Sequence, residues 1–112
     1  MSDRQQKIKA RIEAVLAARS ETHAEGLDTR TPFELPQRIM REHLHDFVLV
    51  SEDEIRAAQR TMIEATRNLV EASAAATLAA ALRLRDELRG RRVALIASGG
   101  NVSREQLLEV LT

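Results

Sequence analysis

Cysteine is absent from the 112 residues, which excludes disulfides, thiolate metal ligands and a Cys nucleophile. Aromatics are almost absent too: Phe33 and Phe47 stand alone, with no Trp or Tyr. The basic side is lopsided, with fifteen Arg against two Lys, Lys7 and Lys9. Any chemistry that needs a Lys must use one of those two. No apolar run approaches the roughly 18 residues of a membrane-spanning helix, and no apolar signal core follows Met1. The sequence therefore reads as a cytoplasmic chain with no membrane contact. Seventeen acidic and seventeen basic residues cancel to zero net charge. Without a basic excess or stacking aromatics, there is no footprint for nucleic acid. What remains, 44% apolar and 30% charged, is the composition of a globular domain.

Residues 2–19 read as an amphipathic helix. Ser2 with Gln5 forms a capping-box pattern, and Ile8, Ile12, Val15 and Leu16 make one apolar stripe. Such a stripe serves either its own core or a partner helix. From Ser20 to Pro36 the periodicity stops, and Gly26, Pro32 and Pro36 mark a loop. Residues 37–44 resume as a short helix with Ile39, Met40 and Leu44 inward. His43 and His45 are spaced i, i+2, which puts them on different helix faces, and no third ligand stands near. No metal site is expected there.

Asp46 to Val50 (D-F-V-L-V) is a continuous run of strand formers and reads as a strand covered on both faces. Ser51 with Glu54 makes a capping box, and Val50 with Ile55 a hydrophobic staple. The helix that follows places Ile55, Ala58, Met62, Thr66 and Leu69 on one face. Glu52, Asp53 and Glu54 occupy its first turn, where the helix dipole favours carboxylates. A break is expected near 71–73, then an Ala-rich helix ending at Gly90. Val93 to Ala97 (V-A-L-I-A) reads as a second covered strand. After Ser98-Gly99-Gly100-Asn101, a further capping box, Ser103 with Gln106, opens the last helix.

Strand, helical crossover and strand make a βαβ unit, with 46–50 and 93–97 parallel. The expected fold class is thus α/β, helix-rich, with two short parallel strands. Two parallel strands leave apolar faces and ladder edges uncovered, so the chain reads as part of a larger fold. The loop 98–101 stands at the carboxyl end of the second expected strand, where open α/β sheets bind ligands. Its two glycines remove side-chain bulk, and Ser98 can donate or accept a hydrogen bond. Taken alone, Gly-Gly between a strand and a helix is more often a plain turn, and with no Lys or Arg in the loop it is not a phosphate loop.

Three segments in order, V-L-V-S-E-D-E-I at 48–55, L-V-E-A-S-A-A-A at 69–76 and R-V-A-L-I-A-S-G-G-N-V at 92–102, carry a resemblance. With A-E-G-L at 24–27 and R-T-P-F-E-L-P at 30–36, they resemble the C-terminal part of the threonine/serine dehydratase family. These are fold-type II pyridoxal-phosphate enzymes, and serine racemase belongs to the same group. The resemblance covers residues 24–112, leaving 1–23 as a helix and linker outside it.

It implies a partial fold-type II domain and pyridoxal 5'-phosphate as cofactor. Ser98 matches the Ser that hydrogen-bonds the pyridine nitrogen, a neutral partner suited to elimination. Gly99, Gly100 and Asn101 match the loop around the ring. Glu71 matches a Glu close to the ring, and Gly26 the Gly of an A-D-G segment, here with Glu25 in place of Asp. Ala72, Ser73, Ala74 and Ala75 stand where the family often has Gly.

The family's cofactor-bonding Lys, its Gly-rich phosphate loop and its Asn beside the cofactor's hydroxyl have no match. The expectation is a C-terminal fragment of a hydroxy-amino-acid dehydratase, inactive alone. Its partner would be the missing N-terminal part or a second copy of the chain. The alternatives are half of a split enzyme and a non-catalytic interaction module.

Overall fold

The structure, a computed structural model, describes residues 2–17, 22–27 and 31–112. The chain divides into two compact units, whose described residues are 2–17 with 31–48, and 22–27 with 49–112.

The first unit holds α1 (Asp3–Ala17) and α2 (Glu34–His43). The Ser2 backbone N–H donates to Gln5 Oε1 at 2.9 Å and the Gln5 N–H to Ser2 Oγ at 3.2 Å, which closes the expected capping box. Ile8 and Ile12 are buried on the inner face of α1. The side chains of Val15 and Leu16 lie outside the described residues. α2 begins three residues before the expected helix. Pro36 sits in its first turn, where a missing N–H breaks no intrahelical bond. Arg11 reaches Asp46 at 2.6 Å and donates to the Phe47 carbonyl at 2.7 Å.

The second unit is built on α3 (Glu52–Thr66) against α4 (Ala72–Arg83), with α5 (Arg104–Leu111) and a single 3-10 turn at Glu25–Leu27 added. Both expected capping boxes, Ser51 with Glu54 and Ser103 with Gln106, are formed reciprocally. α3 stops earlier than expected. Arg67 takes a left-handed conformation, φ 60°, and donates its N–H to the Ile63 carbonyl. α4 ends at Arg83, so Gly90, at φ 75°, terminates a run of turns rather than a helix.

The core joins Ile55, Ala58 and Met62 of α3 to Ala72, Ala74, Ala75 and Ala79 of α4, with Ala24 and Val70. Small residues let the two helices pack closely, which is why Ala repeats around α4.

The expected βαβ unit is not there. Among the described residues no strand forms, and the architecture is helical rather than α/β. The reason is visible in what each run touches. The Phe47 carbonyl accepts from Arg11 and the Leu49 carbonyl from Arg83, so side chains occupy acceptors that a ladder would need. Val50 instead packs on the helical core. Val93, Leu95 and Ile96 are exposed, Ile96 at 74%. A strand exists only through its ladder, and an isolated two-stranded sheet is marginal in water. Strand propensity without neighbours leaves extended chain.

Candidate functional site

The loop 98–101 meets the start of α4 through Glu71. The Glu71 N–H donates to the Gly99 carbonyl at 3.1 Å, and Glu71 Oε2 accepts from the Asn101 N–H at 2.9 Å. The carboxylate also stands where a Gly99 side chain would be: an added Cβ would fall far inside contact distance of Glu71. At Gly100 a Cβ would lie 2.9 Å from the Leu69 carbonyl oxygen. At Gly26 it would lie 2.5 Å from Ser73 Oγ and 3.3 Å from Glu71 Oε1. Gly99 and Gly26 leave room for the Glu71 carboxylate and Ser73, and Gly100 for the Leu69 carbonyl. Gly26, Glu71, Gly99 and Asn101, expected as site residues, are thus brought together from three separate segments.

Ser98 lies at the edge of that assembly. It is exposed and lines a different, open cavity of about 340 Å³ with Gly99, Gly100, Met62, Leu69 and Val70. Asn101, three residues on, lines a separate, more enclosed hollow.

Behind Glu71 is a more enclosed cavity of about 110 Å³, whose lining includes His23, Gly26, Gln59, Glu71, Ser73 and Asn101. Glu52, at the first position of α3, accepts from the His23 backbone N–H at 3.0 Å and pairs with His23 Nδ1. Burial pushes the Glu52 carboxyl up, but hydrogen bonds from Thr22, the His23 backbone and the His23 ring outweigh it. The carboxyl is held below the ordinary Glu value. Gln59 is 1% exposed and donates its amide to the Val70 carbonyl at 2.9 Å.

Sequence reasoning missed Gln59 and His23. Gln59 had a signal: it shares the face of Ile55, Ala58 and Met62, where a polar residue needs a buried partner. The His23–Glu52 pair spans 29 positions and had no local signal. Among the described residues, no group of three His, Cys, Asp or Glu side chains is placed to hold a metal ion. No helix of the described residues is long and apolar enough to cross a membrane.

A family model described as pyridoxal-phosphate dependent enzyme matches residues 2–99. The chain belongs to that family. It is similar to a catabolic L-threonine dehydratase of Escherichia coli, 35% identical over 91 residues that make up 80% of this chain and 28% of the relative. A serine racemase of Dictyostelium discoideum is 33% identical over 106 residues, 93% of this chain and 32% of the relative. An L-threo-3-hydroxyaspartate ammonia-lyase of Saccharomyces cerevisiae is 32% identical over 91 residues, 81% and 28%. This member of the family therefore spans under a third of the length of these curated relatives. No solved structure matches it.

The residues present fit one side of a pyridoxal ring. The open cavity offers a Ser98 hydroxyl able to meet a ring nitrogen and the apolar side chains of Met62 and Val70. Among the described residues, no Lys lines that cavity. Lys7 and Lys9 both belong to α1, in the other unit.

Proposed function

We propose that this chain supplies the ring-nitrogen side of a pyridoxal-phosphate site for dehydration of hydroxy amino acids, in the cytoplasm, and is inactive by itself. The observation that carries the reading is the convergence of Gly26, Gly99 and Asn101 on the Glu71 carboxylate, with Ser98 of the same loop lining an adjoining open cavity. When bound, pyridoxal phosphate supplies an electron sink for a carbanion next to the amino group. In this proposal Ser98 presents its hydroxyl to the ring nitrogen. Glu71 holds the loop by accepting from the Asn101 N–H, and Gly99 and Gly100 let the loop lie close against Glu71 and the Leu69 carbonyl.

The covalent anchor and the phosphate-binding loop come from outside the chain. The missing N-terminal part of the catalytic domain is the first candidate, whether in the same polypeptide or as the other half of a split enzyme; a second copy is the alternative. The relatives' greater length supports this, as does the exposed apolar run at Val93–Ile96.

The test is to add pyridoxal phosphate to the purified chain, alone and with a polypeptide that carries the family's Lys and phosphate loop. The chain alone should give no new visible absorbance band and no 2-oxo acid from threonine or serine. With the complement, turnover should appear and Ser98→Ala should lower it about tenfold, the worth of one hydrogen bond near a reacting group. A band formed by the chain alone and lost on replacing Lys7 and Lys9 would overturn the reading.

A further inference from the structure

The turn that carries Gly26 owes its place to a pair of residues that the cofactor reading does not use. His23, at its entry, donates its backbone N–H to Glu52 Oε2 at 3.0 Å, and its ring Nδ1 meets the same oxygen. Glu52 opens α3, which the Ser51–Glu54 capping box and the buried side chains of Ile55, Ala58 and Met62 hold in place. Ala24 follows His23, fully buried in the core, and its carbonyl accepts from the Leu27 N–H at 2.8 Å to close the turn. Gly26 then lies against the start of α4, with Ser73 Oγ and Glu71 Oε1 in the space a side chain would need.

The Glu71 carboxylate is bounded on both oxygens. Oε1 lies against Gly26 and Gly99, and Oε2 accepts from the Asn101 N–H at 2.9 Å. A Glu side chain loses more rotamer freedom than most when held in one conformation, so a wall at one oxygen favours the bond at the other. The turn supplies that wall with little packing behind it. A cavity of about 110 Å³ adjoins it, with His23, Gly26, Gln59 and Glu71 in the lining. Towards α5, Glu25 receives only a 3.4 Å contact from Gln106 Nε2. The two bonds to Glu52 and the burial of Ala24 therefore carry most of the attachment.

We propose that His23 and Glu52 are positioning residues for the loop 98–101. Their bonds seat the Gly26 turn against Glu71, and the seated turn keeps Glu71 on the Asn101 N–H. Both act through Glu71, across two junctions, from the start of α3 to the start of α4 and from there to the loop. The consequence for Ser98, three residues before Asn101, rests on the dehydratase reading; the coupling between Glu52 and Asn101 does not. A pair that only stabilised the fold would weaken every part of this unit together. A positioning pair loosens the Asn101 bond while the helices stay as they are.

The test reads the Asn101 backbone amide proton by NMR in the full chain at neutral pH. Its resonance in the native chain marks the bond to Glu71 formed, and in Glu71→Ala the bond absent. Glu52→Ala removes the acceptor of both His23 bonds and should move the resonance about half of that span or more, since the shift follows the population of the bonded state. The Ala79 amide, in the buried part of α4, should stay near its native position. Glu52→Gln keeps a side-chain oxygen for the His23 N–H and should return the Asn101 resonance toward the native value. Gly26→Ala puts a methyl group against Ser73 and Glu71, and should displace Asn101 with the Glu52 bonds intact. Where Glu52→Ala does not fold, His23→Ala, which keeps the backbone bond, takes its place. An Asn101 resonance that stays put in that variant overturns the proposal, whatever Gly26→Ala does. So does one that moves only together with Ala79, which would leave the pair with a stabilising role alone. No cofactor is present in this measurement, so its failure leaves the dehydratase reading standing, and absent turnover with the complement leaves the coupling standing.

Discussion

At Gly99 the missing side chain matters because Glu71 takes its place. The Glu71 carboxylate reaches the Asn101 N–H only by crossing the space a Gly99 methyl would fill. Gly99→Ala therefore forces Glu71 off its hydrogen bond or pushes the loop away, and should destabilise the chain by about 1–3 kcal/mol in urea denaturation. Glu71→Ala removes both the bond and the obstacle. The double variant should then cost clearly less than the sum of the single variants, a coupling of at least about 0.5 kcal/mol. Additive costs would show that the two residues act separately.

Glu71 and the loop glycines were legible in the sequence through the family resemblance. The contact between them was not, because the bond joins positions 71 and 101 and no local pattern encodes such a distance. Gly26 against Ser73 is the same case. His23 facing Glu52 is another.

The start of α3 gathers the titratable interactions that a helix terminus favours. Glu54 closes the capping box on the Ser51 N–H at 2.6 Å and meets Arg83 at 2.7 Å. The Ser51 backbone bond is the main cause that holds its carboxyl below the ordinary Glu value, with Arg83 adding to it. Glu52 is lowered as well, despite burial, through Thr22 and His23.

A carboxyl whose value is depressed by folding stabilises the fold fully above the unfolded value and loses that contribution as pH falls through the folded one. For both residues the unfolded value is near 4.5, so stability should hold from neutral pH down to about pH 5 and then decline. Denaturation midpoints of the chain and of Glu52→Gln should differ near neutrality, with the chain more stable, and converge in acid. A constant gap across that range would refute the assignment.

Elements of this kind were the legible part of the fold. All three capping boxes are written within four consecutive residues, and each forms as read. The break after α3 was misplaced by several residues, because Arg67 in a left-handed turn has no sequence marker of the kind Gly provides. The strands failed for the opposite reason. D-F-V-L-V and V-A-L-I-A carry the right composition, but a strand is a relation between segments, and these two have none.

Those unpaired runs decide how the chain behaves as a whole molecule. Val93 is 48% exposed, Leu95 37% and Ile96 74%, three apolar side chains in four residues with no helix over them. Leu69, on the loop before α4, is 58% exposed. A net charge of zero adds no repulsion between copies. Exposed apolar surface of this kind draws chains together unless another surface covers it. Sedimentation of the purified chain should therefore show concentration-dependent association. Replacing both Leu95 and Ile96 with Lys should shift it toward monomer without loss of helical circular dichroism, because neither residue belongs to the buried core. The complementing polypeptide in the dehydratase proposal should have the same effect by covering the run, and should do so only for the chain that still carries Leu95 and Ile96. A monomer that unfolds cooperatively with both residues in place would show that the run needs no cover. The two Lys of the sequence would then have to be reconsidered, since a self-sufficient chain would leave α1 as the one source of a cofactor anchor.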